Sequence, residues 1–144
     1  VFWIKSNTEY KNLDIISANM KLLTANLEVM LDQVRPQQTR IKQSIKQVEQ
    51  YYDYCIIDNA PDINISTINA LVASNEVMIP IKIDEFAFDG LKELVDQINN
   101  TKVDLNENLV FRGCFVTSYV TMKLIGFFKF LNAQFFFLLV LLYM

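Results

Sequence analysis

The sequence predicts an α/β fold in which a partial parallel sheet is flanked by helices and followed by an apolar C-terminal helix. Short apolar runs of strand length alternate with helical patterns over most of the chain, which is typical of right-handed βαβ units. Hydrophobic residues make up 52% of the 144 residues, with only 3 Gly and 3 Pro, so a packed core is favoured over disorder. Residues 124–144 contain six Phe, six Leu and a single charge, Lys129.

The N-terminal part predicts a short strand and two helices. The strand is expected at residues 13–16, and a helix at 21–34, where apolar side chains recur every three or four positions. Pro36 ends this helix because it lacks an amide donor. It also stands in the first turn of a second helix, predicted at 37–50. The narrow apolar stripe of the second helix indicates a surface position.

The central feature is an apolar run at residues 54–57, which is too short for a helix and rich in β-branched and aromatic residues. This pattern predicts a buried strand that ends at Asp58. Ligands of open α/β sheets bind outside the carboxyl ends of the strands, so Asp58 is the best single candidate for chemistry. The alternative is an ordinary capping carboxylate in a βα loop.

Three further elements follow the central strand. Ser66 is predicted to cap a helix at 67–73, and a continuous apolar run predicts a strand at 76–81 that is covered on both faces. A helix at 86–100 and a strand at 109–117 complete the alternation. We therefore expect a parallel sheet over residues 1–119.

Charge and residue usage exclude several classes of function. The net charge is -3, so the whole chain creates no attractive field for nucleic acid. The basic residues of the acid-free stretch 33–48 are interpreted as a solvated helix face. Histidine is absent, which excludes Ser-His and Cys-His catalysis. Cys55 and Cys114 lie in apolar runs and are interpreted as buried free thiols.

The stretch around Asp58 resembles the Walker-B half of ParA/Soj-type partition ATPases, which are related to MinD. The resemblance is carried, in order, by Asp58, Pro61, Thr67, Asn69, Ala70, Leu71, Ala73, Ile79 and Pro80. Similarity in the flanking residues 13–31 and 85–117 extends it over most of the first 119 positions. It implies a P-loop NTPase-like fold.

The resemblance also implies a function, cofactors and partners. The family is expected to use ATP and Mg²⁺ to segregate chromosomes or plasmids, as homodimers that bind DNA non-specifically and respond to a ParB-type partner. The implied location is the cytoplasm, in association with the nucleoid.

Site residues are carried over from the resemblance position by position. Asp58 is implied to be the catalytic Walker-B carboxylate, which holds Mg²⁺ through a water molecule. Asn59 and Pro61 are implied to bind the cofactor within a switch segment at residues 59–64, and Pro80 is implied to lie near the nucleotide base. Thr67 and Asn69 are expected to fix the following helix.

Parts of the family pattern are missing from the printed sequence. It contains no GKGGVGKT-like segment, no Gly-Lys pair and no Asp-x-Asp-Pro-Gln segment. Without loop amides and a lysine, one carboxylate cannot hold a triphosphate. The sequence therefore predicts a truncated fragment that binds no nucleotide and does not hydrolyse ATP alone.

The missing segment also has an expected structural effect. In relatives the strand before the phosphate loop lies beside the Walker-B strand. Its loss predicts unpaired backbone groups along residues 54–58, and hence poor folding alone or pairing with another chain.

The apolar tail has three interpretations, and the chain is divided accordingly into a ParA-like part, 1–119, and a tail, 120–144. The tail is an out-of-frame or truncated product, a membrane anchor formed by residues 124–144, or a packed terminal helix. The membrane anchor supports the rival function, a tethered, non-enzymatic interaction module on a degenerate ATPase fold. The third interpretation of the chain, a receiver-type α/β domain, ranks last because the sequence lacks the second acidic pair that a phosphoacceptor site needs.

Overall fold

The computed structural model describes residues 6–60, 62–82, 89–117 and 138–143. The chain divides into two compact units, Val1–Gln37 and Gln38–Met144. The predicted boundary near residue 119 lies outside the described residues and stays a prediction.

The first unit contains a two-stranded ribbon and one helix. β1 (Ser6–Asn7) pairs antiparallel with β2 (Asp14–Ile15), so the strand predicted at 13–16 is present in shorter form. α1 spans Lys21–Leu31, and none of its residues is buried. It ends earlier than the predicted residue 34 because the Asp32 carboxylate accepts hydrogen bonds from the backbone amides of Val34 and Arg35, at 2.9 and 3.2 Å. Asp32 thereby holds a turn that cannot continue the helix.

The second unit is built on a four-stranded sheet with the order β3-β6-β4-β5. In chain order it contains α2 (Arg40–Ile45), a 3-10 turn (Glu49–Tyr51), β3 (Tyr54–Asn59), α3 (Ile65–Ala73), β4 (Glu76–Lys82), α4 (Asp89–Asp104), β5 (Val110–Thr117) and β6 (Leu138–Tyr143). β4 and β5 are parallel, and β6 runs antiparallel to both of its neighbours, β3 and β4. β3 therefore runs in the same direction as β4, as the predicted βαβ alternation requires.

The core lies between the sheet and helices α3 and α4. It contains the fully buried Ala70 and Leu71 of α3, Val77 and Ile79 of β4, Leu94 and Ile98 of α4, and Leu109. Leu94 and Ile98 lie about one turn apart on α4, and both are at most 3% exposed. Apolar burial of this kind is the main stabilising term of the fold.

The ladder between β4 and β5 contains a β-bulge. Val77 pairs with Phe111 but Met78 pairs with Gly113, so Arg112 is the extra residue on β5. Gly113 has a φ of 106°, a left-handed conformation that glycine adopts without a steric penalty. The Arg112 side chain forms an ion pair with the buried Glu76 on the neighbouring strand.

The helix predicted at 37–50 is shorter than expected. α2 ends at Ile45, and the amides of Gln47 and Val48 bond to carbonyls three residues back, at 3.2 and 2.9 Å. The tighter 3-10 geometry replaces the α-helix because the narrow stripe provides few buried contacts to hold a longer one. Ile45 of this helix is buried together with Ala73, and Ile41 packs against them.

The prediction of an apolar C-terminal helix is wrong for residues 138–143, which form β6. All six residues of β3 have partners in this strand, from Tyr54 opposite Tyr143 to Asn59 opposite Leu138. Pairing satisfies backbone groups that β3 would otherwise bury without partners. The expectation that backbone groups along 54–58 lack pairing is therefore wrong for the side of β3 that faces β6. Residues 118–137 lie outside the described part of the chain.

A search for membrane spans covers only the residues that the structure describes. Within these, no helix combines the length and the apolar character needed to cross a bilayer.

Candidate functional site

Asp58 lies near the carboxyl end of β3 with its side chain exposed. Successive strand residues point to opposite faces of a sheet. Ile57 packs on the side that carries the two hydrophobic clusters, so the Asp58 carboxylate projects from the other face. The sequence predicted the strand and the position of Asp58 at its end. It did not predict that β3 would be the outermost strand of the described sheet.

The loop after β3 leads into a capped helix. Asn64 accepts hydrogen bonds through Oδ1 from the amides of Ser66 and Thr67, at 2.8 and 3.1 Å, and its Nδ2 donates to Asp62 Oδ2 at 2.7 Å. The cap is thus Asn64, whereas the sequence predicted Ser66. The helix starts at Ile65, two residues earlier than expected, because the Asn64 side chain reaches the free amides of the first turn.

Thr67 and Asn69 hold this region together, as the sequence predicted. The Thr67 hydroxyl donates to the carbonyl oxygen of Asp62 at 2.7 Å. Asn69 donates through Nδ2 to the carbonyl of Ile65 at 2.9 Å, and its Oδ1 accepts from the amide of Ile41 at 3.3 Å. Both side chains are buried, so they position the loop and α2 and do not face solvent.

Asn59 carries an unused hydrogen-bond donor. Its Nδ2 is buried and has no hydrogen-bond partner among the described residues, although the residue as a whole is only half-buried. A buried amide without an acceptor costs free energy, about 1–3 kcal/mol. An oxygen atom of a bound group would satisfy it. Pro61, the next predicted site residue, lies outside the described part of the chain.

Pro80 lies at the same edge of the sheet but apart from Asp58. Asp58 and Met78 both pair with Leu139, so these three residues lie side by side on adjacent strands. Pro80 is two residues further along β4. Strand spacing then separates Pro80 from Asp58 by about 10 Å across the sheet and about 7 Å along it. Pro80 itself is buried. The structure therefore does not bring these two predicted residues into contact.

The donor set at this edge fits Mg²⁺ better than it fits a triphosphate. An exposed carboxylate such as Asp58 suits Mg²⁺, which prefers oxygen ligands and retains several waters. The first amides of α3 are already bonded to Asn64, and the loop 59–64 contains no Lys or Arg. No cluster of three or more His, Cys, Asp or Glu residues is present in the described ranges.

The two thiols lie outside this site. Burial raises the pKa of the Cys55 thiol in β3, and it also raises the pKa of the Cys114 thiol in β5. A raised thiol pKa lowers the thiolate fraction at neutral pH, which disfavours a nucleophilic role for either cysteine.

Sequence reasoning missed the contribution of β6 to the site. Leu138 and Leu139 pair with Asn59 and Asp58 and so form the strand next to the candidate residues. The available signal was the run LLVLLY, whose length and composition suit a strand covered on both faces. It was obscured because the preceding residues are also apolar.

Comparisons with known proteins agree with the fold and with the predicted family. The model of a family described as an AAA domain matches residues 3–111. The sporulation initiation inhibitor protein Soj of Bacillus subtilis is 36% identical over 110 residues, which are 76% of this chain and 43% of that protein. The chromosome-partitioning ATPase Soj of Treponema pallidum is 35% identical over 114 residues, or 79% of this chain and 44% of that protein. The chain spans less than half the length of these relatives.

A solved structure shares the fold at low sequence identity. Cobyrinic acid a,c-diamide synthase from Mycobacterium smegmatis, with a bound ATP analogue and magnesium, superimposes with a TM-score of 0.75 at 21% identity. The match covers 83% of this chain and 48% of the synthase. The likeness supports an α/β fold with a parallel sheet and flanking helices.

Proposed function

Because the chain belongs to the ParA/Soj family of AAA-domain proteins, we propose that it carries the Walker-B and switch half of an ATPase for chromosome or plasmid partitioning. The observation that carries this proposal is the exposed carboxylate of Asp58, near the carboxyl end of β3 and directly before the loop to α3. This is the edge of an α/β sheet at which ligands bind.

Each proposed site residue has a distinct role. Asp58 would accept a hydrogen bond from a water molecule bound to Mg²⁺, as the Walker-B carboxylate does in P-loop NTPases. Asn59 would direct its unused Nδ2 donor toward a phosphate oxygen. Pro61 would stiffen the switch segment, and Pro80 would border the base further along the edge. Bound ATP would supply the γ-phosphoryl group that is cleaved.

We propose further that the chain alone is inactive. The printed sequence has no Gly-Lys pair, and the loop amides and lysine of a phosphate loop provide most of the contacts to a triphosphate. The fragment interpretation is consistent with this, since the matched relatives are more than twice as long as the matched segment.

The first experiment measures nucleotide binding by the whole chain. Titration with a fluorescent ATP analogue in the presence of Mg²⁺ is expected to show no saturable binding at low micromolar nucleotide. Saturable binding in that range would refute the argument from the missing loop. Circular dichroism on the same sample shows whether the chain is folded.

The second experiment adds a phosphate-loop segment from a relative. The part of Bacillus subtilis Soj that precedes its matched region is fused ahead of this chain. The fusion is expected to hydrolyse ATP. Asp58→Asn is expected to lower its kcat by about 100-fold, because the substitution removes the carboxylate charge that would hold the Mg²⁺-bound water. The matched control is Asp53→Asn, which changes an exposed aspartate before the opposite end of β3 and should leave kcat close to that of the parent.

Two results of the second experiment would contradict the proposal. One is a folded fusion that hydrolyses no ATP. The other is a fusion whose activity survives Asp58→Asn as well as it survives Asp53→Asn.

The proposal includes partners and a location. Relatives at 31% identity are named chromosome partitioning protein ParA, from Myxococcus xanthus and Caulobacter vibrioides. On this basis we extend the proposal to a homodimer, a ParB-type partner, non-specific DNA and a cytoplasmic, nucleoid-associated location. Retention of the fusion on DNA-cellulose with ATP, and its release without ATP, would support the DNA contact; equal retention in both conditions would contradict it.

A further inference from the structure

Helix α2 is not capped by the residue that precedes it. It contains only six residues, and Thr39 makes no capping hydrogen bond through its side chain. The Thr39 hydroxyl instead accepts a hydrogen bond from Gln43 Nε2 at 3.1 Å. Isolated helices of fewer than about 12–15 residues are marginal in water. The helical state of α2 therefore depends on contacts with other parts of the second unit.

Asn69 supplies a cap for α2 from the neighbouring helix α3. Its Oδ1 accepts a hydrogen bond from the amide of Ile41, the second residue of α2, at 3.3 Å, and an N-cap side chain normally bonds to this amide or the next. Asn69 is 4% exposed, and its Nδ2 donates to the carbonyl oxygen of Ile65 at 2.9 Å, which fixes its orientation. Ile45 of α2 is buried together with Ala73, the last residue of α3. α3 therefore holds α2 by a cap and by an apolar contact.

Another side of α3 is tied to the segment that follows the candidate site. The Thr67 hydroxyl donates to the carbonyl oxygen of Asp62 at 2.7 Å, and Thr67 is 1% exposed. At 3.6 residues per turn, positions 67 and 69 are separated by about 200° around the helix axis. Two buried polar side chains therefore leave α3 on opposite sides, one toward α2 and one toward Asp62, which follows Asp58 by four positions.

We propose that α3 couples the segment after Asp58 to the helical order of α2, through Thr67 on one side and Asn69 on the other. A displacement of Asp62 breaks the bond to Thr67, shifts the start of α3 and withdraws the Asn69 cap from α2. Coupling of this kind requires an element with two states. The short helix α2 is that element, because without its cap it opens into irregular chain.

The coupling controls how α2 presents two basic side chains. Lys42 and Lys46 are exposed and four positions apart, where a helix places side chains on one face. When α2 opens, their spacing is no longer fixed. A ligand at Asp58 as the natural cause of the displacement rests on the proposed function. The coupling itself is measured without ligand, so its failure is distinguishable from failure of the proposed function.

Digestion of the whole folded chain with trypsin measures the opening of α2. The bonds after Arg40 and Lys42 lie within α2, and the bond after Lys102 lies within α4 and serves as the internal reference. Cleavage follows the population of the open form when opening and closing are fast. Asn69→Ala is expected to raise cleavage in α2 about fivefold relative to the reference, the usual effect of removing an N-cap.

Thr67→Val tests the coupling, because it removes the bond to Asp62 and leaves the cap of α2 in place. It is expected to raise cleavage in α2 about threefold relative to Lys102, as loss of one hydrogen bond would. The matched control is Thr101→Val in α4, where the residue is also 1% exposed. The control should raise cleavage in α2 no more than at Lys102. Thr67→Ser keeps the hydroxyl and should retain the cleavage pattern of the parent chain.

A double variant separates coupling from independent damage. In Thr67→Val combined with Asn69→Ala, cleavage in α2 should equal that of Asn69→Ala alone, because the cap through which Thr67 acts is already absent. Multiplication of the two single effects would overturn the coupling. So would a Thr67→Val chain that stays folded and shows no selective rise in α2.

An equal rise in α2 and at Lys102 would show that Thr67→Val unfolds the chain. Asn64→Ala then decides, because it loosens the same end of α3 from a half-buried position. A selective rise in α2 supports the coupling, and any other result with Asn64→Ala overturns it.

Discussion

Asn64 determines where α3 begins. Its side chain satisfies two amides that the first turn would otherwise leave without partners. Asn64→Ala should therefore lower the free energy of unfolding by about 1 kcal/mol, measured by urea denaturation. The control Asn100→Ala changes an exposed asparagine within α4 and should not destabilise. Equal losses in the two variants would contradict the capping role.

Cys55 should make the stability of the chain depend on alkaline pH. Burial raises the pKa of its thiol in the folded state above the ordinary value of 9.0. The folded state therefore holds the thiol proton more tightly than the unfolded state does. The contribution of Cys55 to the free energy of unfolding is fully present below about pH 9, and it is lost as the pH rises through the raised pKa of the folded state.

The variant Cys55→Ala should show a shallower decline in the free energy of unfolding above pH 9 than the parent chain. Cys114→Ala is the matched control, because Cys114 is exposed and its pKa is raised by a smaller burial. The comparison uses differences between variants, so titration of Tyr and Lys cancels. A decline of equal slope in the parent and in Cys55→Ala would contradict the prediction.

At the scale of elements, Asn106 connects the segment after α4 to the end of α3. Its buried Nδ2 donates to the carbonyls of Leu71 and Ser74, at 3.0 and 2.7 Å. Asn106→Asp keeps the shape but removes both donors, and should lower the free energy of unfolding by about 1–3 kcal/mol. The control Asn108→Asp, at an exposed position two residues away, should change it little. Thermal denaturation of both variants tests this, and equal melting temperatures would contradict it.

The elements also show how far the sequence could predict the fold. The strands at β3, β4 and β5 were predictable because each is a short apolar run bounded by polar residues, and α4 because its inward residues follow the helical period. The predicted start of α3 was two residues too late. Ser66 and Asn64 are both good N-cap residues, and only the loop geometry selects between them. β6 was not predicted, because its partners are distant in sequence and its all-apolar run, although of strand length, fits a helix equally well within the longer apolar tail.

The candidate site was predictable only in part. The position of Asp58 follows from a local pattern, a strand that ends in a carboxylate. Its separation from Pro80 depends on which strand lies between β3 and β4, a property of the whole sheet that no local pattern contains.

At the scale of the whole molecule, the two units should differ in local stability. None of the residues of α1 in the first unit is buried, whereas β4 in the second unit contributes Val77 and Ile79 to the core. Segments with few buried apolar contacts open at lower free energy. Hydrogen exchange should therefore be faster in peptides covering α1 than in those covering β4, measured by mass spectrometry. Equal protection of the two segments would contradict the prediction.

The bulge at Arg112 reverses the alternation of β5 from that residue onward. With one extra residue in the strand, the side chains after Gly113 project from the faces opposite to those that an uninterrupted strand would give them. Deleting Arg112 would straighten the ladder and would leave the last four residues of β5 opposite the same β4 partners and on the same faces. A homologue that lacks this residue therefore keeps the same order of polar and apolar side chains after it, and a gap of one position at Arg112 aligns the two strands.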